Sequence, residues 1–97
     1  MIYAIKVTEK VEDLFAQYKG VYLSDGIEKK ISQENTQPTT LRVERGDTIF
    51  ICTEVCGDLE IGKTYICDCI VSAYAKNVKR GGVFTILRHR NYDSTKS

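Results

Sequence analysis

Short runs in which apolar and polar residues alternate fill the chain from residue 40 onward, and turns separate them. Four runs read TLRVER, TIFICTEV, TYICDCIVSAYA and VFTILRHR, and each connection between them contains glycine. An apolar residue at every second position is typical of a strand with one buried face. From Leu41 onward the sequence therefore predicts only strands and turns, with neighbouring strands joined as an antiparallel meander.

A different spacing precedes these strands. Residues 2–7, IYAIKV, alternate like a strand, but in residues 8–20 the apolar side chains follow the period of a helix. Thr8 is a suitable N-cap and Gly20 a suitable C-terminal stop. The predicted amphipathic helix presents one apolar stripe, formed by Val11, Leu14, Phe15 and Tyr18.

The region between this helix and Leu41 predicts a hairpin and a loop. Asp25 and Gly26, a favoured pair for a tight turn, lie between two strand-like runs in residues 21–31. Residues 32–40 are polar and contain the single proline, so we expect the longest loop there. Six or seven short strands with one helix favour an α+β domain, with a small barrel-like and mostly antiparallel sheet.

Composition is that of an ordinary soluble domain. Hydrophobic residues make up 42% of the chain and charged residues 28%. No apolar run approaches the roughly 18 residues that a membrane span needs, and the N-terminus lacks the pattern of a secretory signal. We therefore expect a cytoplasmic protein without membrane association, folded as one domain over residues 1–97 with a frayed tail over residues 91–97.

All four cysteines lie in the segment CTEVCGDLEIGKTYICDC, as Cys52, Cys56, Cys67 and Cys69. If their strands paired as a hairpin with Cys52 opposite Cys69, the four thiols would share one face. However, C-x-C within a strand separates its sulfur atoms by roughly 6–7 Å, too far for one tetrahedral ion. The apolar neighbours favour buried, packed thiols and no cofactor, with a metal site as the weaker alternative.

The usual catalytic patterns are missing from the sequence. The single histidine, His89, lies between Arg88 and Arg90, and nothing else in the sequence marks it as a catalytic base. The GKT at residues 62–64 lacks the upstream glycine of a phosphate-binding loop. We therefore predict a binding module and not an enzyme.

Charge is divided unevenly along the chain. Residues 1–68 carry eight Lys and Arg against twelve Asp and Glu, whereas residues 69–97 carry six against one. No carboxylate occurs from Cys69 to Tyr92, and this stretch predicts a basic hairpin in which Arg88 and Arg90 project to the same face. Such a hairpin with interleaved tyrosines predicts contact with nucleic acid or a nucleoprotein complex, with phosphates on the cations and bases on the rings. The predicted site consists of Lys76, Lys79, Arg80, Arg88 and Arg90, together with Tyr74 and Tyr92.

Three alternatives stay open. The chain could be a small protein-binding adaptor or inhibitor, of the kind that phages and other mobile elements encode. It would then bind an acidic partner through the basic face, or use its acidic N-terminal residues, Glu9, Glu12, Asp13, Asp25 and Glu28. It could be a metal-stabilised four-cysteine domain. The cations could also be the solvated face of an edge hairpin, where lysines prevent pairing with another chain.

Residues 39–51, TTLRVERGDTIFI, resemble the T-x-R, the G-D and the following apolar strand of ASCH-type PUA-like barrels. That family is associated with RNA, so the resemblance implies a barrel with an RNA-related role. The family's G-x-K-x-x-E-x-R motif has no counterpart, because Thr40 stands where its glutamate is expected before Arg42. The resemblance therefore assigns no family.

Overall fold

The computed structural model describes residues 1–12, 16–31, 39–72 and 82–92, and every regular element in these ranges is a β-strand. The predicted α+β class is therefore wrong, because the described chain is all-β, but the expected small barrel is present. No helix in this part of the chain is long and apolar enough to cross a membrane. The strands are β1 (Ile2–Lys10), β2 (Tyr18–Tyr22), β3 (Ile27–Ile31), β4 (Thr39–Val43), β5 (Thr48–Cys52), β6 (Thr64–Ser72) and β7 (Val83–Asn91).

Five strands close into a barrel in the order β1-β2-β5-β7-β6, and β6 pairs with β1 to complete the circle. All neighbouring pairs are antiparallel except β5 and β7, which are parallel. The strands β3 and β4 form a separate antiparallel sheet. The barrel order is therefore not the chain order, and the connection between β2 and β5 contains the small sheet.

The predicted helix over residues 8–20 is wrong. Its start belongs to β1 and its end to β2, where Glu9 pairs with Lys19 and Lys10 with Tyr18. A helix-like spacing of a few apolar residues is a local signal, and pairing in the barrel overrides it. Residues 13–15, which include Leu14 and Phe15 of the predicted stripe, lie outside the described residues.

Gly20 has a role unlike the predicted helix stop. It lies in the middle of β2, where a Cβ atom would come within 2.5 Å of the Lys6 carbonyl oxygen and 2.8 Å of the Ile51 Cδ1 atom. Any side chain larger than hydrogen would therefore require the β1 backbone at Lys6 and the Ile51 side chain to shift. The close packing of the barrel explains this glycine better than helix capping does.

The predicted hairpin over residues 21–31 and the predicted meander are also wrong. β2 pairs with β1 and β5, whereas β3 pairs with β4, so Asp25 and Gly26 link two different sheets. The hydroxyl of Tyr22 donates to the carbonyl of Asp25 at 2.6 Å, and Arg45 donates to the Asp25 carboxylate at 2.9 Å. Of the strands that follow one another in the chain after Leu41, only β6 and β7 pair with each other, whereas β5 pairs with β7 in parallel. Alternation identified these strands, but closure of the barrel decides their partners.

Inward-facing side chains fill the barrel. Tyr3, Tyr22 and Phe84 form an aromatic cluster with ring centroids 5.5–5.7 Å apart. The small sheet contributes Leu41 and Val43, which are fully buried. Each such side chain stabilises the fold by about 1.5–3 kcal/mol, so β4 is part of the core although it lies outside the barrel ladder.

Candidate nucleic-acid interface

The residues of the predicted site belong to the two ends of the β6–β7 hairpin. Lys76, Lys79, Arg80 and Tyr74 fall in residues 73–81, outside the described residues. This segment lies in the chain between Ser72 and Gly82, and Ser72 pairs with Val83. Arg88 lies five residues after Val83, about 17 Å along an extended strand. Arg88 and Arg90 are therefore well separated along β7 from Val83 and Gly82, the described residues that follow this segment.

Arg88 and Arg90 lie on the outer face because of a β-bulge. Phe84 and Ile86 point into the barrel, so strict alternation would turn both arginines inward as well. The register shifts between Asp68 and Cys69 of β6, which leaves Leu87 as the extra residue of β7. After this bulge the alternation is reversed, and Arg88 and Arg90 are exposed on one face, as the sequence predicted.

The neighbours of the two arginines differ. Arg88 forms a salt bridge with Asp68 at 3.3 Å, and the amino group of Met1 lies 3.2 Å from the same carboxylate. Hydrogen bonds from the Met1 amino group and from Arg88 hold the pKa of Asp68 below its ordinary value. Arg90 lies opposite Ile66 and forms no salt bridge with any described residue. Arg90 thus carries more uncompensated charge than Arg88.

A shallow groove of about 210 Å³ follows this surface. Ile2, Ile66 and Asp68 form one side and residues 88–90 the other. Tyr92 lies next to it, since its amide donates to the Thr64 carbonyl at 3.0 Å, and its side chain is exposed. β7 ends at Asn91, one residue before Tyr92. Residues 93–97 lie outside the described residues.

A second outer surface was not anticipated from the sequence. On β2 and β5, Lys19 pairs with Phe50 and Val21 with Thr48, and we call these four residues the β2–β5 face. The Lys19 ammonium lies 5.4 Å from the centroid of the Phe50 ring and 3.7 Å from the Glu9 carboxylate. The sequence does contain a signal for the outward direction of Phe50, because this residue stands between Ile49 and Ile51, which both face inward.

Gly82, which follows the basic residues 73–81 in the chain, lies beside this face. The Phe50 amide donates to the carbonyl of Gly82 at 2.9 Å, and Phe50 pairs with Val83 across the parallel strands. Gly82 has a φ of 135°, and a Cβ atom there would lie 2.7 Å from the Ser72 carbonyl oxygen. A glycine is therefore required at position 82, and its carbonyl is held next to Phe50.

The cysteines pack in the interior, as the sequence predicted. Cys52, Cys67 and Cys69 are buried and Cys56 is half-buried against the core. The possibility that Cys52 faces Cys69 is wrong, because β5 and β6 do not pair. No group of three or more metal-ligating side chains occurs among the described residues. The metal-stabilised alternative therefore has no geometric support in the described chain.

Burial also governs the chemistry of these thiols. Desolvation raises the pKa of Cys67 and of Cys69 to about 12, so both stay protonated near neutral pH. His89 pairs with Cys67 across the strands, but its ring packs edge-on against Tyr65 at 4.9 Å. Because a protonated thiol is a poor nucleophile, the Cys67–His89 pair has the features of a packing contact.

The carboxylates of the acidic alternative are largely engaged with cations. Glu9 lies beside Lys19, Asp25 beside Arg45 at 2.9 Å, and Glu28 beside Arg42 at 2.7 Å. Glu12 is exposed, and Asp13 lies outside the described residues. Such paired charges offer a partner little net attraction.

Comparisons with protein-family models, with curated proteins and with solved structures found no match to this chain.

Proposed function

We propose that this protein is a non-enzymatic binding module that contacts single-stranded nucleic acid through the β2–β5 face and the adjoining basic segment, residues 73–81. Bases stack on Phe50, and Lys19 with Lys76, Lys79 and Arg80 contact phosphates. The loop end of the predicted basic hairpin thus supplies the cations, and the barrel supplies the aromatic surface.

The connectivity of the barrel supports this choice of face. Its first, second and third strands are consecutive neighbours, the third pairs in parallel with the fifth, and the fourth returns to the first. This is the Greek-key order of the OB-fold, in which the face of the second and third strands commonly binds oligonucleotides. Here those strands are β2 and β5. Because one fold hosts many functions, the connectivity supports the location and the residues must support the ligand.

The single observation that carries the proposal is the placement of Phe50. It is an aromatic residue on the outer side of a central barrel strand, with an ammonium group 5.4 Å from its ring. Aromatic rings on such strands bind bases of any sequence by stacking, and neighbouring cations track the backbone. The amide of the same residue bonds to Gly82, where the basic segment ends. The stretch from Cys69 to Tyr92 contains no carboxylate that would repel phosphate.

Fluorescence anisotropy of a labelled oligothymidylate tests the proposal. Four phosphate contacts should weaken binding about fiftyfold between roughly 50 and 200 mM salt, because each contact releases a counterion. Phe50→Leu keeps an apolar side chain but removes the ring, and should weaken binding about tenfold.

Two controls separate the site from general charge. Lys30→Gln removes an exposed lysine from β3, on the small sheet, and should leave binding within about twofold, whereas Lys19→Gln should weaken it several-fold. Absence of binding at the lower salt concentration would contradict the proposal. Equal binding by the parent chain and Phe50→Leu would contradict the stacking role.

A further inference from the structure

β7 extends beyond the end of its neighbour β5. The two strands pair only from Val83 to Thr85, opposite Phe50–Cys52, where β5 ends. On the other side, β6 pairs with β7 as far as Asn91. Within the described chain, residues 87–91 are therefore bound to a strand on one side only, and we call them the β7 edge.

The backbone groups at this edge can be assigned from the ladder. The Tyr92 amide donates to Thr64 of β6, and the groups of successive residues in a strand point to alternate sides. Arg88 and Arg90 therefore direct their amide and carbonyl groups toward β6, whereas His89 and Asn91 direct theirs away from it. No described residue forms a backbone hydrogen bond with His89 or Asn91 on that side.

The side chains of the edge are basic on the outer face. Arg88 and Arg90 project there, and a residue on an added strand would lie about 5 Å from each of them. Arg88 already contacts Asp68 at 3.3 Å, while Arg90 lies opposite Ile66 and forms no salt bridge with a described residue. Carboxylates on an added strand would therefore gain most from Arg90.

The charges also select the kind of strand that can pair here. A second copy of the β7 edge would bring arginines opposite arginines, and like charges in direct opposition destabilise a ladder. Nucleic acid would satisfy the guanidinium groups but has no peptide groups for the backbone of His89 and Asn91. A chain that carries both carboxylates and an extended backbone satisfies both requirements.

We propose that the β7 edge binds an extended acidic segment of a partner protein, which adds to the barrel as a strand. Its backbone bonds to His89 and Asn91, and its carboxylates lie opposite Arg88 and Arg90. This surface is separate from the β2–β5 face, so it does not depend on nucleic-acid binding.

Two synthetic peptides test the charge requirement. The first alternates glutamate and valine over about six residues, the usual length of a strand, and the second replaces each glutamate with lysine. Both are acetylated and amidated, so that only their side chains differ. The acidic peptide should bind about tenfold more tightly, and Arg88→Gln/Arg90→Gln should remove that preference.

Amide hydrogen exchange locates the binding and tests the strand pairing. The acidic peptide should slow exchange at His89 and Asn91, which face the open edge, more than at Lys19 or Val21. Asn91→Pro removes one open-edge N–H without removing a donor to β6, and should weaken binding about fivefold. Asn91→Ala keeps the amide and should bind like the parent chain.

Several results would overturn this proposal. Equal affinity for the two peptides would contradict it, as would protection confined to the β2–β5 face. Concentration-dependent dimerisation of the peptide-free chain that Asn91→Pro abolishes would assign the edge to a second copy. If Asn91→Pro prevents folding, Arg88→Gln/Arg90→Gln tests the proposal instead. Both arginine side chains are exposed, so their loss leaves the strand pairing intact.

Discussion

The β2–β5 face and the β7 edge both carry basic side chains, Lys19 on the first and Arg88 and Arg90 on the second, yet they differ in the state of the backbone beneath these cations. On the face, β2 and β5 are each paired on both sides, so only side chains such as Lys19 and Phe50 can contact a ligand. At the edge, β7 is paired on one side and offers peptide groups as well. The two proposals accordingly place nucleic acid where the ladder is closed and an extended peptide where it is open.

Disruption of the barrel should remove both surfaces together. Gly20→Ala places a methyl group within 2.5 Å of the Lys6 carbonyl oxygen, and overpacking against backbone should cost about 3 kcal/mol of unfolding free energy. Gly26→Ala is the matched control, since its nearest neighbour is 3.6 Å away. Urea unfolding measures both, and a Gly20→Ala chain as stable as Gly26→Ala would show that the close approach at β2 is wrong.

Alkaline pH should also act on both surfaces through the core. Burial raises the pKa of Cys67, Cys69 and Tyr22 to about 12, whereas the unfolded chain releases these protons near the ordinary values of 9.0 and 10.0. Stability is therefore full below about pH 9 and falls as pH rises toward about 12. The urea midpoint as a function of pH should show this decline, and Cys67→Ala should make it shallower. A midpoint independent of pH over this range would contradict the burial of these groups.

Removal of charge at one surface should leave the other unaffected. The variant Lys76→Gln/Lys79→Gln/Arg80→Gln should reduce the salt-dependence slope of oligonucleotide binding by about two and leave the affinity for the acidic peptide within about twofold. Arg88→Gln/Arg90→Gln should weaken binding of the acidic peptide and leave the salt-dependence slope of oligonucleotide binding unchanged. The same loss of both activities in both variants would mean that the hairpin acts as one patch.

The smallest effect concerns Asp68, which competes for Arg88. Asp68→Asn should strengthen binding of the acidic peptide about twofold and leave oligonucleotide binding unchanged. Because the pKa of Asp68 is lowered in the folded chain, its contribution to stability is present above the ordinary value of 3.8 and is lost as pH falls further. Thermal unfolding between about pH 5 and pH 2 should therefore vary less in Asp68→Asn. Weaker peptide binding in this variant would show that Asp68 orients Arg88 and does not compete for it.

The sequence predicted several features because they depend on neighbouring residues. Alternation located the strands after Leu41, and apolar neighbours predicted the burial of Cys67 and Cys69. It also predicted that Arg88 and Arg90 share a face, although their outward direction depends on the bulge at Leu87, which alternation does not reveal.

The features that the sequence did not predict depend on distant pairing. The spacing of Val11 and Tyr18 fits a helix, but Tyr18 pairs with Lys10 and Ile51 across the barrel. Asp25-Gly26 fits a hairpin turn, yet β2 and β3 belong to different sheets. The neighbourhood of Phe50 and Gly82 arises from parallel strands far apart in the chain, and no local pattern indicates it.

The most direct test of the account is a titration of the isotope-labelled chain with unlabelled oligothymidylate, followed by the backbone amide resonances. We expect the largest shifts at Lys19, Val21, Phe50 and Gly82, with His89 and Asn91 little changed. Shifts concentrated at Arg88–Tyr92 would place nucleic acid on the β7 edge and contradict the division of the barrel into two surfaces.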